Sequence, residues 1–76
     1  MKPIIIGQSW DDPSTIIVQV DQIDEIQIVK TLNLTMDTVS TELTLSEVSR
    51  YMPWDEYTGS AQLEEILETH NLKKYF

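Results

Sequence analysis

Carboxylates dominate the chemically capable side chains of this chain: 13 Asp and Glu stand against 5 Lys and Arg, with one histidine and no cysteine. Adjacent acids recur as Asp11-Asp12, Asp24-Glu25 and Asp55-Glu56. Paired carboxylates do general acid–base work only when a cleft drives their two pKa values apart, and 76 residues can hardly build one. The single histidine, His70, continues the apolar helical spacing of Leu63, Ile66 and Leu67. That position suits packing or a helix-end cation better than a catalytic base. Without cysteine there are no disulfides, thiolate zinc sites or thiol nucleophiles. Gly7 and Gly59 are the only glycines, so no phosphate-cradling loop can form. Asp21, Asp24 and Glu25 lack the central glycine and terminal glutamate of a calcium loop. The expectation is a protein that is not an enzyme and uses no metal or cofactor.

What remains is a surface. Lys2, Lys73 and Lys74 lie at the two ends, and between residues 3 and 72 only Lys30 and Arg50 oppose all 13 acids. A formal net charge of −8 argues against direct binding to nucleic acid or to an anionic membrane. The segment from Leu43 to Tyr51 has the cadence of a first helix-turn-helix helix, but the helix after it would present Gln62, Glu64, Glu65, Glu68 and Thr69 to phosphate. Repulsion rules that reading out.

Glu64 and Glu68 are i, i+4 neighbours on the predicted helix, with Glu65 alongside and no lysine interleaved. Carboxylates about 6 Å apart on a helix approximate the phosphates of a nucleic-acid strand. Trp10-Asp11-Asp12 and Trp54-Asp55-Glu56-Tyr57 each set a tryptophan beside two acids in a predicted loop. An exposed tryptophan there would suit an Arg-rich partner, whereas a packed one would lie under the sheet edge.

The expected partner-binding residues are therefore Asp55, Glu56, Glu64, Glu65 and Glu68 as a phosphate-like row, with Trp54 and Tyr57 as anchors. The expected partner is a basic protein, a nucleic-acid-processing enzyme or complex. In size and charge, and by no motif, the chain is similar to phage-encoded antagonists of host defence, nuclease immunity proteins and DNA mimics. The competing expectation is a non-catalytic assembly subunit, anchored through Leu72, Tyr75 and Phe76, whose acidity serves solubility.

These side chains need elements to hold them. Residues 1–76 form one domain, because two cores cannot be built at this length. Met1-Lys2-Pro3-Ile4-Ile5-Ile6-Gly7 is too short in apolar residues for a secretion signal, and no run approaches the ~20 of a membrane span. A soluble protein of the cytoplasm is expected. Ile4 and Ile6 predict a short strand ended by Gly7, and Gln8 to Ser14 a loop. Ile16, Val18 and Val20 alternate as a second strand. Residues 26–36 fit a strand better than the helix that also matches their spacing, because β-branched residues recur there. Val39, Thr41, Leu43 and Leu45 continue as a fourth alternating run, after a tight turn near Asp37-Thr38.

Thr44-Leu45-Ser46-Glu47 matches a capping box, which predicts a helix from Leu45 to Tyr51 that stops before Pro53. Thr58-Gly59-Ser60 would cap a second helix carrying the Leu63 stripe, with Leu72, Tyr75 and Phe76 folding back over the core. The fold class expected is α+β: a small antiparallel sheet of about four strands, followed by two C-terminal helices packed on one face.

Overall fold

Alternating isoleucine and valine build the centre of the sheet. In the computed structural model, residues 2–48, 50–54 and 56–76 are described, and for 56–61 the backbone only. Strand β1 spans Ile4–Ser9, β2 Thr15–Ile23 and β3 Ile26–Asn33, joined as an antiparallel meander. Residues 26–33 are thus strand, as their β-branched content predicts. The pairs Ile5↔Val18 and Ile16↔Leu32 put four apolar side chains on one side, where helix α1 (Glu56–Thr69) covers them. Leu63 and Leu67 of α1 complete this core with Leu72, and Ile66, Trp54 and Phe76 pack against it half-buried.

Ile17 and Val29 point to the opposite side and are also 0% exposed. The chain between β3 and α1 adds three short strands to the sheet. Strand β4 (Thr38–Val39) and strand β5 (Leu43–Thr44) both pair with β3, and β6 (Tyr51–Pro53) pairs with β1 at the far edge. The chain must cross the sheet to get there. The Tyr51 ring lies against Gly7, the register partner of Ile17. A Cβ at Gly7 would collide with that ring and meet the Met52 carbonyl oxygen at 2.7 Å, so only glycine fits.

The expected fold class is corrected here. Among the described residues the sheet has six antiparallel strands, and there is one α-helix rather than two. The segment predicted as the first helix closes only one 3₁₀ turn, Leu45–Glu47, and Val48 is already extended at φ −88°, ψ 130°. Tyr51–Pro53 then takes the open edge of β1 as β6, flanked by Trp10 N–H donating to the Arg50 carbonyl and Trp54 N–H to the Ile6 carbonyl. A helix this short is marginal in water, and the unpaired strand edge offers its backbone more hydrogen bonds.

Boundaries shift as well. β1 runs through Gly7 to Ser9, with an irregularity between Ile5 and Gly7 that absorbs the extra residue. β3 stops at Asn33, whose side-chain oxygen accepts the Thr35 and Met36 N–H groups and turns the chain. The predicted fourth alternating run is two strands of two residues each. The predicted cap at 58–60 falls inside α1, which begins at Glu56.

Candidate protein-binding surface

Helix α1 shows water a row of carboxylates because its other side is committed. Leu63 and Leu67 are buried and Ile66 half-buried, so Glu64, Glu65 and Glu68 are left exposed on a helix whose rotation is locked by the core. The end of α1 is a Schellman turn. Asn71 adopts φ 55°, its N–H donates to the Glu68 carbonyl at 3.2 Å, and the Leu72 N–H donates to the Leu67 carbonyl at 2.9 Å. That geometry sets Leu72 in contact range of Leu67 and drops it into the core.

The same turn reverses the chain into a 3₁₀ turn, Lys73–Tyr75, which brings Lys73 back over the row. Its Nζ lies 3.5 Å from Glu64 Oε1 and 3.7 Å from Glu68 Oε1. No lysine is interleaved among these acids in the sequence; the tertiary turn supplies one. All three side chains are more than 60% exposed, so the contact is water-screened and readily exchanged.

The other predicted residues divide. Trp54 sits at the end of β6, half-buried against the core. Asp55 lies outside the described residues, as do the side chains of Glu56 and Tyr57. Trp10, the second candidate tryptophan, is 54% exposed at the end of β1. Of the tail proposed as an assembly anchor, Leu72 is buried and Phe76 half-buried within this chain's own packing, and Tyr75 is 45% exposed. Lys30 ties that tail down: Nζ donates to the Tyr75 carbonyl at 2.7 Å and lies 5.3 Å from the centre of the Phe76 ring.

Two acids serve the fold instead. Asp12 accepts the Ser14 N–H at 3.0 Å, the Thr15 hydroxyl at 3.2 Å and the Asn33 amide at 3.2 Å, joining the β1–β2 loop to the end of β3. The backbone N–H of Ser14, more than the side-chain donors, holds its carboxyl below the ordinary carboxylate value against a partial desolvation that pushes upward. Glu47 accepts the Thr44 N–H at 2.7 Å and hydroxyl at 2.8 Å, and its pKa is lowered by the same two donors.

His70 follows the last turn of α1, half-buried, with Nδ1 2.6 Å from Asp37 Oδ1. The pair clips the helix end to the β3–β4 turn, where Asp37 stands at φ 53°. Among the described hydrogen bonds, none joins a serine to His70. Among the described residues no three His, Asp or Glu side chains gather as a metal-holding group. An open cleft of about 350 Å³ runs beside α1, with Pro3, Leu63, Leu67 and Phe76 as its apolar lining and Lys2, Glu64 and Lys73 as its charged groups. Its charges are of both signs. No helix among the described residues is long and apolar enough to cross a membrane.

No protein-family model matches the chain, and no curated protein or solved structure matches it significantly.

Proposed function

We propose that this protein is a small, non-catalytic inhibitor acting in the cytoplasm. It offers the carboxylates of α1 to a basic partner that handles nucleic acid. The observation that carries the reading is the exposure of Glu64, Glu65 and Glu68 on a helix fixed by Leu63 and Leu67. A helix already held by the core need not be ordered on binding, which lowers the entropic cost of association. Lys73, spanning Glu64 and Glu68, stands where a partner's cation would and can be displaced. Complementary charge speeds encounter, while affinity comes from buried anchors. Trp54, just before α1, and Tyr57, in its first turn, are the residues assigned to that role.

The test is capture from nuclease-treated lysate on the immobilised protein, eluted by a salt gradient, beside a Glu64→Lys, Glu65→Lys, Glu68→Lys variant. One basic nucleic-acid enzyme or complex released by salt from the wild type and absent from the variant is the expected result, with the two proteins melting alike by circular dichroism. Equal recovery on both proteins, or a partner that salt does not release, overturns the reading.

A further inference from the structure

The β2–β3 hairpin outruns the sheet. The β1 ladder meets β2 no further than Ile4↔Gln19, so beyond Gln19 strand β2 has β3 on one side and, among the described residues, no strand on the other. On the far side of β3, β5 reaches only Ile28 and Val29. The register irregularity between Gln19 and Asp21 marks where the covered part ends. Every residue from Asp21 to Ile26 is exposed.

Two of these are isoleucines. Ile23 and Ile26 are direct register partners, so their side chains share one side of the hairpin, at 57% and 51% exposure. Ile28 lies on that side by the period of two. Threonine would keep the β-branched preference for strand at both positions without leaving apolar area in water. Around the pair stand Asp21, Asp24 and Glu25, and no described lysine or arginine forms an ion pair with them. Asp24 turns the hairpin at φ 55°.

We propose that this tip is a strand-addition site for an extended basic segment of another protein. The segment's backbone pairs along the edge of β2 from Val20 to Ile23, where no strand lies among the described residues. Its apolar side chains cover Ile23 and Ile26, and its lysines or arginines meet Asp21, Asp24 and Glu25. Backbone pairing supplies affinity in this mode and alternate side chains supply specificity. A second copy of this chain is the wrong occupant, because self-pairing would bring the three acids of each copy together. The inference shares with the function proposed above only the sign of the partner's charge, and it uses different residues.

The test pans a displayed library of random peptides on the purified protein, then titrates one enriched synthetic peptide into four proteins. These are the wild type, Ile23→Thr with Ile26→Thr, Asp21→Asn with Asp24→Asn and Glu25→Gln, and the α1 triple lysine variant. Enriched peptides alternate apolar residues with lysine or arginine. Binding weakens about tenfold or more in both hairpin variants and holds in the α1 variant, which separates this inference from the proposed function. Amide exchange at Val20 to Ile23 slows in the wild-type complex, a readout that needs no substitution. Failure to enrich any peptide, equal binding to the Ile23→Thr, Ile26→Thr protein, or a concentration-dependent dimer that this variant abolishes would each overturn the proposal.

Discussion

Ile17 and Ile23 belong to one strand and share one side-chain chemistry, yet the fold treats them as opposites. Ile17 is 0% exposed, while Ile23 is 57% exposed at the hairpin tip. The two ends of β2 differ in the same way. At the Thr15 end, Asp12 binds Ser14, Thr15 and Asn33, and the Thr35 hydroxyl donates to Ser14 Oγ at 2.9 Å. At the Ile23 end, the side-chain bonds are local, from Gln22 Nε2 to the Asp24 carbonyl and from the Gln22 N–H to Asp21 Oδ1. One end is built to hold the molecule together. The other is spare, and spare apolar and acidic groups are what a partner can use.

The comparison breaks most visibly at Ile17. Ile17→Ala opens a cavity in a fully enclosed site and lowers unfolding free energy by about 2–5 kcal/mol. Urea unfolding followed by tryptophan fluorescence reads this directly. A loss close to that of an Ile23 substitution would mean that the second face is not closed. Next comes Gly7→Ala, where the added methyl meets the Tyr51 ring and the Met52 backbone; overpacking of this kind costs about 1–3 kcal/mol. Amide exchange should localise the damage to β6 before the rest of the sheet.

Asp12→Asn is expected to lower the unfolding midpoint at neutral pH by less than either core change. Its pH dependence sharpens the contrast. A carboxyl with a folded pKa below its unfolded value stabilises fully above the unfolded value, and loses that contribution as pH falls through the folded one. The gap between wild type and Asp12→Asn should therefore close below about pH 4. A gap that is constant with pH would assign Asp12 a role independent of its charge. The smallest effect is at the tip, where Ile23→Thr with Ile26→Thr should leave stability within about 0.5 kcal/mol, because surface substitutions away from packed groups rarely do more.

Periodicity carried the legible part of this fold. The helical stripe at Leu63, Ile66 and Leu67 names its own buried side, because burial imposes a period of nearly four on the chain. The alternation at Ile16, Val18 and Val20 marks only one of two buried sides of β2, since Ile17 and Gln19 are buried as well. The exposure of Glu64, Glu65 and Glu68 follows from that stripe alone. Local signals misled where a tertiary option was better. Glu47 accepts the Thr44 N–H as a capping box predicts, but the turn they close leads into β6, since the edge of β1 was open to Tyr51–Pro53. The contact of Lys73 with Glu64 and Glu68 was beyond any spacing rule, although Asn71 after the helical stripe is a recognisable signal for the turn that produces it.

Composition and pattern by themselves determined that the surface is acidic, that the apparatus of thiol and phosphate-loop chemistry is missing, and which face of α1 turns inward. These are sums over the chain or properties of neighbours in sequence. Which acids bind backbone and which face water, which of two isoleucines on one strand is covered, and where Lys73 ends up were decided only in three dimensions. Each depends on a contact between residues far apart in the chain, and on competition among alternative partners that exists only once the sheet has formed.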